Sequence, residues 1–298
     1  MTSGVSALEL ERFEERLDEA LATRSTDVLD VIGYGEVSVA IRLSIDGKDY
    51  ACKRLVPFDA KPDAERASAL IHLYVERLEA CGLDVVPTHT LILERPAGFV
   101  LYCVQPLLPE GTVGPDFIRR LSVEEARPYV ERVFALIRAS VSPTLAPDGQ
   151  LSNWSFEGDQ IRYLDVGTPF MRDAEGRDLF DFRQQTRALP QPIRAVVNRF
   201  MVKGILDNYH SRRGQALDFL GNLIKESLAQ LMPPLIPTAN RVFDLSPPIS
   251  EREVRHHYRG DARSYAFIQS ARRADRWFQE TVLRRTYPFL LPPKIDRG

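Results

Sequence analysis

Leu145 to Pro169 reads LAPDGQLSNWSFEGDQIRYLDVGTP. Asp148 is followed five positions later by Asn153, and a second carboxylate stands in Asp165-Val166-Gly167 at the end of a short apolar run. Between them, Trp154–Phe156 and Ile161–Leu164 are predicted as short strands joined by the turn Glu157-Gly158-Asp159. A hairpin of that size brings Asn153 and Asp165 side by side at its open end. Two hard oxygen ligands converging there suit Mg²⁺, which takes few protein oxygens and fills its other positions with phosphate oxygens and water. Asp148, a few residues upstream, stands ready to orient or deprotonate a hydroxyl. Asp, Asn and Gly are also the residues of ordinary turns, so the meaning of the stretch is decided by what precedes it.

Upstream, Val28 to Ile32 is a predicted strand running directly into Gly33-Tyr34-Gly35-Glu36. An alternating run from Val37 to Ile45 follows, then the turn Asp46-Gly47, then Tyr50 to Leu55. Strand, glycine turn, strand, Asp-Gly hairpin and strand make a three-stranded antiparallel meander. A glycine turn lets backbone N–H groups approach anionic oxygens with no Cβ in the way. A dinucleotide-binding role for these glycines needs a helix directly after them; a strand follows, which excludes it. The chain has only six lysines against 33 arginines, yet one of them, Lys53, stands on the third strand. Ala51 and Leu55 alternate with it, so all three share a face of the sheet. A lysine on a half-buried face needs an anionic partner.

In this order and spacing, Gly33 with Gly35, Lys53, Asp148 with Asn153, and Asp165-Val166-Gly167 resemble four motifs of the protein-kinase-like superfamily: the glycine loop, the strand lysine, the D-x-x-x-x-N catalytic loop and D-x-G. The resemblance covers about residues 28–170. It implies an α+β, two-lobed protein-kinase-like fold with a small antiparallel-sheet N-lobe and a mainly helical C-lobe. The N-lobe is expected at residues 1–104, a hinge at 105–111 and the C-lobe at 112–298. ATP and Mg²⁺ are the implied cofactors. Gly33, Tyr34, Gly35 and Ser38 would cover the phosphates, Lys53 would bind the α/β-phosphates, and Val104 and Gln105 would lie at the adenine. Asn153 and Asp165 would hold Mg²⁺, with Asp148 as the catalytic residue. The family pairs its strand lysine with a glutamate from the following helix, here predicted over Pro62–Cys81. Glu65 and Glu76 are the candidates, both nearly opposite that helix's apolar stripe of Leu70, Ile71, Tyr74, Val75 and Leu78. Two departures stand out: Ser38 replaces the third glycine, and Ala146-Pro147 replaces the His-Arg or His-Gly before the catalytic aspartate.

Beyond Pro169 helices are predicted at roughly Asp178–Thr186, Pro192–Asn208, Gln215–Leu231, Glu251–Tyr258 and Ala262–Leu283. Joints at Pro233-Pro234, Pro237 and Pro247-Pro248 separate them. No analogue of the protein-kinase A-P-E segment follows the D-x-G, so the chain looks more like the aminoglycoside and choline phosphotransferase-like small-molecule kinases. The expected activity is Mg·ATP-dependent phosphoryl transfer to a hydroxyl of a small molecule or partner. The alternatives are a nucleotide-binding pseudokinase acting as scaffold or sensor, and nucleotidyl (AMP) transfer on the same fold.

The 298 residues, 44% hydrophobic and 27% charged, have the composition of a soluble globular protein. No apolar run is long enough to span a bilayer. Cys52, Cys81 and Cys103 have no metal or disulfide spacing and read as buried free thiols, which points to the cytoplasm. The five histidines lack metal-ligand spacing too. Neither a membrane nor a nucleic acid is expected as partner. Residues 1–180 carry 19 basic and 30 acidic groups, whereas residues 181–298 carry 20 and 11, so the two parts stand near −11 and +9. The last helices are dense in arginine: Arg252, Arg255, Arg259, Arg263, Arg272, Arg273, Arg276, Arg284 and Arg285. Guanidinium groups suit carboxylates and phosphates, so the acceptor is expected to be neutral or anionic. The same arginines could equally neutralise the acidic half or lie solvated.

Overall fold

Period-two alternation in the first third of the chain resolves into five strands: β1 (Val31–Tyr34), β2 (Val39–Ile45), β3 (Lys48–Arg54), β5 (His89–Arg95) and β6 (Gly98–Pro106). The structure is a computed structural model that describes residues 5–23, 29–35, 38–96 and 98–292. The predicted positions Val28, Glu36, Val37 and Ala97 lie outside these. The five strands form one antiparallel sheet in the order β1-β2-β3-β6-β5. Its register places Gly33, Ala40, Lys53, Cys103 and Thr90 in one row across the sheet. Directly opposed residues point to the same face, so small side chains flank Lys53 on the β1 side.

The two faces of the sheet are covered differently. Helix α1 (Ala7–Thr23) lays Leu10, Phe13, Leu17 and Ala20 against Val39, Ile41, Leu43, Cys52, Tyr102 and Val104. Glu14 goes into this apolar contact with them, 2% exposed, because Arg54 donates to it at 2.7 Å and the Tyr102 hydroxyl also bonds to it. A buried carboxylate is tolerated when it is paired this way. Helix α2 (Lys61–Ala80) covers the Lys53 face through Ala64, Ala67, Ile71, Tyr74 and Leu78. Cys52 and Cys103 are buried, but Cys81, at the C-cap of α2, is only half-buried.

The remainder is largely helical. A two-residue strand β4 (Asp84–Val85) precedes β5, and helices α3 (Gly114–Ile118) and α4 (Val123–Ser140) follow β6. Ser122 and Glu125 form a capping box at the start of α4. Then come β7 (Leu145–Ala146), β8 (Trp154–Glu157), β9 (Gln160–Tyr163) and β10 (Phe170–Met171). Five helices complete the fold: α5 (Gln191–Phe200), α6 (Val202–Tyr209), α7 (Arg212–Lys225), α8 (Met232–Phe243) and α9 (Glu251–Trp277). One buried cluster runs from Leu55, Ile71 and Leu101 through Val133 and Trp154 to Phe219 and Leu235. It joins sheet and helices into a mixed α+β fold with a small antiparallel sheet and a largely helical remainder.

Several predicted helices differ from those observed. Asp178 bridges to Arg172 and residues 179–184 are bends and turns, with only a short 3-10 turn at Gln185–Ala188. Asp181 accepts the Arg183 backbone N–H and its guanidinium, which competes with helix. The segment from Pro192 to Asn208 breaks at Met201 into α5 and α6. The predicted Gln215–Leu231 helix begins earlier, where Ser211 caps Gly214, and α7 stops at Lys225. Pro233, Pro234 and Pro237 lie within α8 and do not break it. Pro233 and Pro234 stand in the first turn, where the N–H groups have no helical acceptor and proline costs little, while Pro237 lies inside the helix, which continues without its N–H. The two predicted helices after Glu251 are the single helix α9, which passes through Gly260 and continues as a π turn over Phe278–Val282. Among the described residues no helix is long and apolar enough to cross a membrane.

Candidate active site

Two short antiparallel pairings bring the quoted stretch together. β7 pairs with β10, Ala146 opposite Phe170, so the chain just before Asp148 lies beside the chain just after Gly167. β8 pairs with β9, Trp154 opposite Tyr163, and Leu164 N–H donates to the Asn153 carbonyl at 2.8 Å. Asn153 and Asp165 therefore flank the open end of one hairpin.

Lys53 reaches from the sheet to this end. Its Nζ lies 2.7 Å from Asp165 Oδ1, and both side chains are about three-quarters buried (27% and 22% exposed). Burial alone would lower the lysine pKa, but the Asp165 carboxylate outweighs it and holds the ammonium above its ordinary value. Gly167 N–H also donates to Asp165 Oδ1, at 3.2 Å. A Cβ on Gly167 would sit 3.3–3.4 Å from Leu55 and from the Lys53 stem, so glycine there lets the lysine lie across the loop. Gln105 fixes the same segment from β6: its Nε2 donates to the Leu164 carbonyl at 2.8 Å and to Thr88 Oγ1 at 2.9 Å.

The loop bearing Asp148 is pinned at every carbonyl. Five consecutive carbonyls each accept a hydrogen bond: Ala146 from Tyr74 OH, Pro147 from Gln215 Nε2, Asp148 from Asn153 Nδ2, Gly149 from Trp154 Nε1 and Gln150 from Asn153 N–H. The Asp148 N–H donates to Tyr163 OH at 2.9 Å, and Tyr163 is hydrogen-bonded to Tyr74, which closes a circuit back to Ala146. Burial pushes both phenols well above their ordinary range, so they stay protonated donors. These contacts brace the loop that Ala146-Pro147 leaves without a histidine. Tyr74 and Gln215 carry no motif; the former reads from sequence as one more apolar-stripe residue of α2. Gln215 Nε2 also donates to the Tyr209 carbonyl at 2.8 Å, so Gln215→Ala strips one buried and one part-buried carbonyl of a donor. Such a loss costs about 1–3 kcal/mol, seen as a lower urea midpoint; an unchanged midpoint would show that the loop does not lean on α7.

The Asp148 carboxyl is pushed up to about 8, first by burial, then by the negative charges of Asp218 on α7 and of Asp165. The Gln150 N–H, 3.2 Å from Asp148 Oδ1, and the charge of Lys225 pull the other way. A carboxylate poised in this range suits a group that takes a proton near neutral pH.

The other predicted residues fall into two groups. Gly33 shares the row of Lys53, while Gly35 N–H donates to the Ser38 carbonyl at 3.0 Å and closes the β1–β2 turn. A Cβ on Gly35 would lie 2.5 Å from Ser38 Oγ, so any side chain there would make that hydroxyl rotate away. Tyr34 and Val104, in contrast, belong to the cluster under α1, so their side chains lie on the sheet face away from Lys53. Neither Glu65 nor Glu76 reaches Lys53: Glu65 sits 3.8 Å from Lys61, Glu76 is exposed, and the lysine's carboxylate is Asp165. Every large residue that α2 buries is apolar or a tyrosine, so the helix holds the catalytic loop and leaves the lysine to the D-x-G.

As a metal site the donor set is oxygen only. Asn153 uses its Nδ2 on the loop and keeps Oδ1 free to ligate, and Asp165 keeps Oδ2. Among the described residues no group of three or more His, Cys, Asp and Glu side chains could hold an ion. Two protein oxygens suit Mg²⁺ completed by phosphate and water, and would be too few for a structural metal.

Fold and site together define an α+β protein with a lysine–aspartate pair at the junction of sheet and hairpin. The chain belongs to DUF6206, a family of unknown function whose model matches residues 12–276. No curated protein matches it. Among solved structures, one described as WaaP in complex with acyl carrier protein matches at 15% identity, covering 80% of this chain and 92% of that one with a TM-score of 0.37. A likeness that loose leaves function to the geometry of the chain itself.

Proposed function

We propose that the chain is a Mg·ATP-dependent phosphotransferase acting on a hydroxyl. The observation that supports this best is the Lys53–Asp165 pair facing a catalytic aspartate whose loop is held at five successive carbonyls. Lys53 would bind the α/β-phosphates, with Gly33, Gly35 and Ser38 over them and the backbone at Val104 and Gln105 beside the adenine. The lobes would divide at residues 105–111. Asn153 and Asp165 would hold Mg²⁺, which in this chemistry neutralises phosphate charge. Asp148 would orient the acceptor hydroxyl and take its proton. A pre-positioned loop does this without reorganising during the reaction.

The acceptor we propose is neutral or anionic, in keeping with the +9 of residues 181–298. Several arginines of α9 are already engaged. Arg255 pairs with Glu251 and Arg276 with Glu280, while Arg272 and Arg273 donate to the carbonyls of Leu290 and Pro292. These four would act on encounter, not on chemistry.

A second reading, a nucleotide-binding scaffold, draws on the missing helix carboxylate at Lys53. ATP labelled at either the γ- or the α-phosphate separates the possibilities. Label transferred from the γ position, with Mg²⁺ present and Asp148 intact, is the expected result. Transfer of α-label would mean AMP transfer, and tight binding with no transfer would mean a scaffold.

A further inference from the structure

Lysine is rare in this chain and arginine common, so a buried lysine needs a reason. Five of the six lysines lie in the described residues. Lys48 is exposed, and Lys61 and Lys203 are 63% and 84% exposed. Only Lys53 and Lys225 are held back from solvent, at 27% and 28%. The charge of each acts on Asp148, Lys53 from β3 and Lys225 from α7.

Lys225 comes from the last turn of α7. Its Nζ is 3.4 Å from Gln150 Oε1 and 3.5 Å from Glu226 Oε1, both long contacts. Lys53, by comparison, is committed to Asp165 at 2.7 Å. Gln150 is the bridge to the chemistry: its N–H reaches Asp148 Oδ1, and Asn222 Nδ2 holds its side-chain oxygen at 2.8 Å. The ammonium is close enough to lower the Asp148 pKa. A cation at a helix C-terminus is ordinarily explained by the helix dipole, but that role is met as well by a solvated arginine. An ammonium is instead a compact charge with three donors that can be redirected.

The geometry points to Lys225 as a catalytic cation on the acceptor side, binding the phosphoryl group as it passes from ATP to a hydroxyl oriented by Asp148. This rests on the phosphotransferase reading above. In the step, the acceptor oxygen forms a bond to the γ-phosphorus while the bond from that phosphorus to the β-phosphate oxygen breaks. ADP leaves and the hydroxyl proton passes to Asp148. Lys225 moves its donors from Gln150 and Glu226 to phosphoryl oxygens. The two half-buried lysines would then divide the phosphate chain, Lys53 on the part that leaves and Lys225 on the part that moves.

The test compares wild type, Lys225→Ala, Lys225→Arg and Asp148→Asn for turnover of ATP with Mg²⁺, for ATP affinity, and for affinity toward Mg·ADP with aluminium fluoride. Lys225→Ala should lose about 10²-fold or more in kcat, the usual weight of a charge-stabilising donor. Its KM for ATP should stay within about threefold, and the fluoride complex should weaken in step with kcat. Lys225→Arg should recover part of the rate. A structural role would leave the ratio of fluoride-complex to ATP affinity unchanged. A wild-type kcat in Lys225→Ala, with Asp148→Asn inactive, overturns the assignment of Lys225 alone. A wild type that binds no Mg·ATP and transfers no phosphate overturns both.

Discussion

Asp148→Asn should cut phosphoryl transfer by about 10²- to 10⁴-fold, the usual weight of a positioned general base, while ATP binds nearly as before. It should also make the protein more stable above neutral pH. The Asp148 carboxyl stands at about 8 in the folded chain, against about 3.9 for an unperturbed aspartate. Between those values the native state holds a proton that the unfolded state has released. Stability therefore falls as pH rises through this window, and the full penalty is present above pH 8. Asparagine has no charge to desolvate and removes the penalty. The melting temperature of Asp148→Asn should accordingly exceed that of wild type by a margin that widens from pH 5 to pH 8 and then levels off. A margin independent of pH would mean that the carboxyl titrates in its ordinary range. Sites that hold a charge against its solvation commonly trade stability for function.

Replacing Lys53 by Ala should abolish stabilisation by Mg·ATP. At a nucleotide concentration about 100 times Kd, binding raises wild-type stability by about 2.7 kcal/mol, and in the variant this increment should vanish. The effect on the free protein should be smaller, because both partners of the Lys53–Asp165 pair keep some contact with water. Losing the ammonium leaves Asp165 facing Asp148 with its charge uncompensated, so the Asp148 carboxyl should move up further. A full nucleotide-induced shift in Lys53→Ala would remove the lysine from the site.

The parts of this site that local chemistry dictates were legible in the sequence. Glycines at a hairpin, a lysine alternating with apolar residues on a strand and a hairpin ending in Asn153 and Asp165 each leave a local signal, and their order supplies the topology. The brace of the catalytic loop left none. Tyr74 looks like any stripe residue, and Gln215 like any polar residue on a helix; only the tertiary approach of α2 and α7 to residues 146–150 gives them a role. The helix glutamate illustrates the converse. A resemblance supplied two candidates, and packing selected neither, because α2 turns apolar side chains and Tyr74 inward. Helix boundaries after Pro169 are not legible where side chains compete with the backbone, as at Asp181, or where prolines stand in a first turn that a helix accepts, as Pro233 and Pro234 do in α8.

Titration of wild type and Asp165→Asn with a fluorescent ATP analogue, with Mg²⁺ and with EDTA, tests most directly whether the Lys53–Asp165 junction is a Mg·nucleotide site. Wild type should bind in a Mg²⁺-dependent way. Asp165→Asn should lose at least about tenfold in affinity, since it keeps the shape of the side chain but gives up the charge on a ligating oxygen. Binding that ignores both Mg²⁺ and the Asp165 substitution would contradict the proposed site.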